Sequence, residues 1–167
     1  MELSVILDLV TAGAVILGIL FGLLQLRHYH LSQERDATLT LLNSFQTVEF
    51  FQGIWIIQGL PDGLTKDEIE DRVGEETRTV YLVMGAWESI GILVYNHEIP
   101  IELVENAHGD SILISWQKLK DHVTDVRADL QRETLFEWFQ WLAERMIERE
   151  QVNPPRPAYF AHRDWRP

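Results

Sequence analysis

The side chains most able to do chemistry are Glu105 and His108, spaced as Glu-x-x-His. On a helix that spacing puts a carboxylate and an imidazole on one face, as carboxylate-bridged metal pairs in helical bundles require. Such a centre needs a second Glu-x-x-His and two further Glu from facing helices, and the chain holds one copy. His97-Glu98, His122-x-x-Asp125 and His162-x-Asp164 supply the residue types of acid–base pairs at spacings that helix surfaces and loops carry by chance. Glu88 stands between the apolar Trp87 and Ile90, where burial would raise its pKa if it turns inward. His28 and His30 are of a type that ligates haem or chlorin.

Other chemistries lack their parts. There is no cysteine, so thiolate catalysis and disulfides are excluded, and a structural zinc site would need all its ligands from His, Asp and Glu. No dinucleotide, phosphate-binding, His-Glu-x-x-His or Gly-x-Ser-x-Gly motif occurs. The expectation is no catalytic residue, no cofactor and no metal. A metal-dependent membrane enzyme built on Glu105 and His108 is the second alternative.

The elements that would position these groups begin with an apolar N-terminus. Leu9 to Leu26 carries no charged side chain, and with Leu3–Leu7 it reaches the ~20 residues that cross a hydrocarbon core. A signal peptide would begin with a basic region, whereas this chain begins Met-Glu-Leu-Ser. The reading is one transmembrane helix with its juxtamembrane turn over 1–30. Arg27, His28, His30 and Arg35 follow it, which predicts an inner-membrane, single-pass topology with the N-terminus outside and the remainder cytoplasmic. One third of that helix gathers Asp8, Thr11, Ala14, Gly18, Gly22 and Gln25, a small and polar ridge suited to close approach by another membrane helix.

Residues 31–151 read as a helical domain. Thr38, Leu41, Leu42, Phe45, Val48 and Phe51 recur at three- and four-residue steps, predicting a helix over 32–51 that Gly53–Gly63 interrupts. Thr65 and Glu68 form a capping-box pattern for a short helix closing near Gly74. A long helix over 75–95 carries Val80, Val83, Met84, Trp87, Ile90, Gly91 and Val94 on one face. Pro100–Ala107 reads as two turns stopped at Gly109, and Asp110 as the cap of the next helix, with Ile112, Trp116, Leu119, Val123, Val126 and Leu130 in its stripe. A last helix over 133–149 shows Leu135, Trp138, Phe139, Leu142 and Met146, with Trp141 off the stripe and so expected exposed.

Residues 152–167 form a tail, extended because it holds four Pro. Tyr159, Phe160 and Trp165 alternate there with Arg156, His162, Arg163 and Arg166. Trp141, Tyr159, Phe160, Trp165, Arg163 and Arg166 are the expected partner-binding residues. The tail is net +2, whereas 27–155 holds 11 basic and 23 acidic side chains, net −12. Phosphate backbones would be repelled by that body, so nucleic acid is not an expected partner.

Asn96-His-Glu-Ile-Pro-Ile-Glu-Leu-Val-Glu105, Trp116 and Phe136-Glu-Trp-Phe-Gln-Trp-Leu-Ala-Glu144, with the N-terminal span, resemble an uncharacterised bacterial family of short single-span membrane proteins. The resemblance implies a helical cytoplasmic domain and no known activity. The whole reads as an all-α accessory or scaffold subunit of a membrane complex: one transmembrane helix, a small helical bundle and an extended tail. It would pack its span in the lipid bilayer against another membrane protein or itself, and dock a protein partner through its bundle and tail. The first alternative is a homo-oligomeric membrane-anchored signalling or sensor protein.

Overall fold

The computed structural model describes residues 21, 22, 25 and 47–166. The chain divides into two compact units, Met1–Asn43 and Ser44–Pro167. In the first unit Phe21, Gly22 and Gln25 have helical backbone. In the second, every regular element among the described residues is helical: α1 (Val48–Gly59), α2 (Lys66–Val73), a 3-10 turn (Gly74–Glu76), α3 (Thr77–Tyr95), α4 (Ile101–Leu130), α5 (Glu137–Val152) and α6 (Ala158–Ala161).

The expected transmembrane helix is corrected. Among the described residues no helix is long and apolar enough to cross a membrane. The reason differs by helix. At about 1.5 Å per residue the 12 residues of α1 span roughly 18 Å, short of a hydrocarbon core. The 19 residues of α3 include Arg78 and Glu88, and the 30 of α4 are charged along their length, from Glu102 to Asp129. Most of segment 9–26 lies outside the described residues. The single-pass architecture and the inner-membrane placement with the N-terminus outside are therefore withdrawn.

α1 starts at Thr47, whose extended backbone (φ −99°, ψ 149°) breaks the helix expected over 32–51, of which 32–46 lie outside the described residues. The Thr47 hydroxyl accepts a hydrogen bond from the Phe50 N–H at 3.2 Å, satisfying one open donor of the first turn. The helix then runs through Gly53, where the sequence pattern suggests an interruption. A Cβ there would lie 2.6 Å from Val83 Cγ2 and 2.7 Å from the Thr79 carbonyl oxygen. The glycine is needed because α3 approaches that closely, not because the chain turns.

α2 carries the full capping box: the Glu68 N–H donates to Thr65 Oγ1 and the Thr65 N–H donates to Glu68 Oε2 at 2.9 Å. It ends at Gly74, whose φ of +59° a side chain would strain. α3 buries the seven residues of the expected stripe, Val80, Val83, Met84, Trp87, Ile90, Gly91 and Val94. Gly91 sits against α5, where a Cβ would be 2.8 Å from the carbonyl carbon of Trp138.

Residues 101–130 form one helix, not two. α4 passes through Gly109 without a break and extends about 45 Å. A mid-helix glycine costs roughly 1 kcal/mol against alanine, less than the stripe Val104–Ile112–Leu119–Val123–Val126 gains by burial as one unit. Gln131 closes α4 in the left-handed conformation (φ 51°), and the Arg132 N–H returns to the Arg127 carbonyl at 3.0 Å. Arg127 also donates from Nε to the Leu135 carbonyl at 2.8 Å and from Nη1 to Gln140 at 2.7 Å, binding the α4–α5 turn.

α1 and α5 each pack against both α3 and α4, while the α1–α5 and α3–α4 pairs have few close backbone approaches. The four helices thus stand in the cyclic order α1, α3, α5, α4, with α2 laid against α4 and α3. Trp87, fully buried at the centre, crosses the α3–α4 diagonal and donates from its indole N–H to Ser115 Oγ at 3.2 Å.

Candidate functional site

Glu88, Glu105, His108 and His122 are engaged within the bundle, while His28 and His30 lie outside the described residues. Glu105 is ion-paired with Arg149 of α5 at 2.9 Å, and Arg149 also reaches Glu102 at 3.0 Å. His108 lies against the Trp87 ring, centroids 5.7 Å apart, and burial lowers its pKa. The Glu105 carboxylate is thus directed to a cation and the imidazole to the core. Among the described residues no group of three or more His, Asp or Glu could hold a metal ion.

Glu88 does turn inward. Its carboxylate accepts the Phe139 N–H at 2.7 Å, so α3 supplies the cap for the first turn of α5. α5 needs it, because its own cap position is Phe136, in left-handed backbone at φ 56° with no side-chain hydrogen bond. Burial raises the Glu88 pKa, and the Phe139 and Trp138 N–H groups pull it partly back.

His122 and Asp125 do not form a dyad. Asp125 accepts the Lys66 N–H at 3.1 Å, capping α2, and Asp129 pairs with Lys66 Nζ at 2.8 Å. His122 points into the core, 0% exposed, edge-on to Tyr81 with centroids 5.4 Å apart. Neither ring nitrogen has a hydrogen-bond partner. Burial lowers its pKa, Glu70 and Asp125 oppose that, and Lys66 adds to it. Burial also raises the pKa of Tyr81.

The unspent features lie on the surface. α1 buries Phe50, Ile54 and Ile57 but presents Val48, Phe51 and Trp55 outward, at 78%, 55% and 81% exposure. Together with Gln52 and Ile56 these line an open apolar concavity of about 690 Å³. Among the described residues the packing of the bundle makes little use of the Trp55 ring, which stays 81% exposed where burial would be worth several kcal/mol. Sequence reasoning missed this face. The signal was present: Val48, Phe51 and Trp55 follow one another at three- and four-residue steps, on a different side of the helix from Phe50, Ile54 and Ile57.

The expected partner residues are dispersed. Trp141 is half-buried, not exposed, stacked edge-on to Tyr95 (5.9 Å) and Trp138 (6.1 Å). Tyr159, Phe160 and Trp165 are exposed, with Arg163 and Arg166 beside them. The tail is not wholly extended, since Pro157 initiates the single turn of α6. Its base forms one wall of a polar cleft of about 900 Å³, opposite Glu102, Glu105 and Asn106 of α4. Arg163 approaches Asp164 at 3.5 Å with both exposed, and Arg166 bonds the Trp165 carbonyl. Of the expected membrane-contact residues, Asp8, Thr11, Ala14 and Gly18 lie outside the described residues. Gln25 is exposed, and a Cβ on Gly22 would meet nothing within 4 Å.

A family model described as a domain of unknown function, DUF4760, matches residues 12–146. No curated protein and no solved structure matches the chain.

Proposed function

We propose, from the premise that the chain belongs to the DUF4760 family, that it is a non-enzymatic accessory or scaffold subunit that docks protein through its helical body and its tail. The reading is supported above all by the outer face of α1, where Trp55 is 81% exposed on a helix whose other face is closed into the core. Large aromatics held rigidly at a surface are what anchors protein contacts, because they bring much apolar area at low entropic cost. The exposed Tyr159, Phe160 and Trp165 extend the same character to the tail. The contacts of Glu88, Glu105 and His122 support a structural part for each: one caps a helix, one pairs with Arg149, one is sealed in the core.

Site-specific photo-cross-linking tests this. A photoreactive phenylalanine analogue is placed at Trp55, at Phe160, or at the exposed Glu133 as control, in the full chain inside the cells that make it. Protein adducts are expected at 55 and 160 well above 133. Equal, background-level labelling at all three positions would overturn the docking role.

A further inference from the structure

We infer that the tail of one chain docks on the outer face of α1 of a second copy, and that the exchange is reciprocal. The inference rests on the docking role proposed above and names the partner at that surface. Among the described residues, clusters of exposed large apolar side chains lie on α1, with Val48, Phe51 and Trp55, and on the tail, with Tyr159, Phe160 and Trp165. They lie apart within one chain. The tail continues from α5, which stands diagonally across the bundle from α1, and its base faces α4 across the polar cleft.

Charge selects which surfaces can meet. The body between 27 and 155 carries net −12, so two bodies brought face to face repel. The tail is the basic part, with Arg156, Arg163 and Arg166 against Asp164. α1 contains Glu49 and no basic side chain, and its neighbour is the acidic 3-10 turn, with Glu76 accepting a hydrogen bond from Gln52 at 2.9 Å. A cationic aromatic segment and an acid-bordered apolar helix face are complementary. The Arg163 and Arg166 contacts within the tail are local and exposed, so both cations can turn to a partner.

Size and symmetry agree with a closed pair. The two surfaces contribute five exposed aromatics, Phe51, Trp55, Tyr159, Phe160 and Trp165, which make ten in a reciprocal dimer. At roughly 150 Å² each they alone would bury about 1,500 Å², within the ~1,200–2,000 Å² of specific interfaces. Mutual exchange uses both surfaces of both copies and leaves none open to propagate a filament. Pro154, Pro155 and Pro157 stiffen the arm, which lowers the entropy lost on docking.

Sedimentation equilibrium on the full chain tests the inference, with Trp55→Asp and the double variant Arg163→Glu/Arg166→Glu. All three side chains are exposed, so at concentrations low enough to hold every protein monomeric, circular dichroism and Tm should stay at wild-type values. Wild type should dimerise, and each variant should weaken the dimer at least about tenfold, the equivalent of 1.4 kcal/mol. An equimolar mixture of the variants should dimerise more tightly than either alone, because it restores one intact tail-on-α1 contact. A wild-type monomer, or a dimer indifferent to both variants, overturns the second-copy inference. If position 55 still cross-links to another protein in that case, the docking role stands and only the partner is wrong. If it cross-links to nothing, both fail.

Discussion

Replacing His122 with Leu should stabilise the bundle and flatten its response to acid. His122 is 0% exposed and neither ring nitrogen is hydrogen-bonded. A buried, unsatisfied polar group costs roughly 1–3 kcal/mol, and leucine is of similar bulk, with a shape cost below about 1.5 kcal/mol. The net expectation is about 1 kcal/mol of added stability, or roughly 3–6 °C in Tm for a domain this size, measured above the usual histidine pKa of about 6.5. Burial, the leading cause, lowers the folded-state pKa, with Lys66 adding and Glu70 and Asp125 opposing. The unfolded chain therefore binds the extra proton just below pH 6.5. Wild-type stability is complete above that value and declines as pH falls through it toward the folded-state pKa. The decline is at most about 1.4 kcal/mol per pH unit for one proton. Thermal melts of both proteins from about pH 7.5 to about pH 5.5 should therefore diverge on acidification, since every other titrating group is common to both. Parallel melting curves over that range would refute the claim that His122 titrates out of the core.

The glycine contacts make a paired prediction by chemical denaturation. Gly91→Ala should destabilise by about 1–3 kcal/mol through collision with the Trp138 backbone, whereas Gly85→Ala, with nothing within 4 Å of its Cβ, should gain up to about 1 kcal/mol. Glu88→Ala should lower the denaturation midpoint by the equivalent of about 1–2 kcal/mol by uncapping α5, with Glu88→Gln recovering part of it. The Glu88 pKa is raised on folding, so wild-type stability from this group is full below about pH 4.5 and lost as pH rises through the folded value. Neither variant should show that loss.

Local signals were legible in the sequence. The Thr65–Glu68 box and the seven-residue stripe of α3 depend on neighbours three and four positions away, and both have that geometry in the structure. Signals whose meaning depends on another helix were misread. Gly53 and Gly109 look like stops, yet both lie inside helices, Gly53 because α3 presses on it. Trp141 and Trp55 could not be ranked for exposure, because Tyr95 and Trp138 cover one and no described side chain comparably covers the other. His122 could have been found, since it lies three residues beyond Leu119 and four before Val126, inside the apolar stripe of α4. The tail's prolines hid a one-turn helix because only the residues after Pro157 were free to form it.

The double-sided character of α1 has a consequence during synthesis. Its inner face is covered by α3 and α4, and α4 ends about 70 residues after α1 does. At a translation rate of about 5–20 residues per second, a helix apolar on both flanks waits roughly 4–14 s beside the ribosome before its cover exists. None of the described helices made after it covers its outer flank. Nascent-chain chaperones should therefore hold this stretch longer than any other described part of the polypeptide, and truncations ending before Ile101 should aggregate.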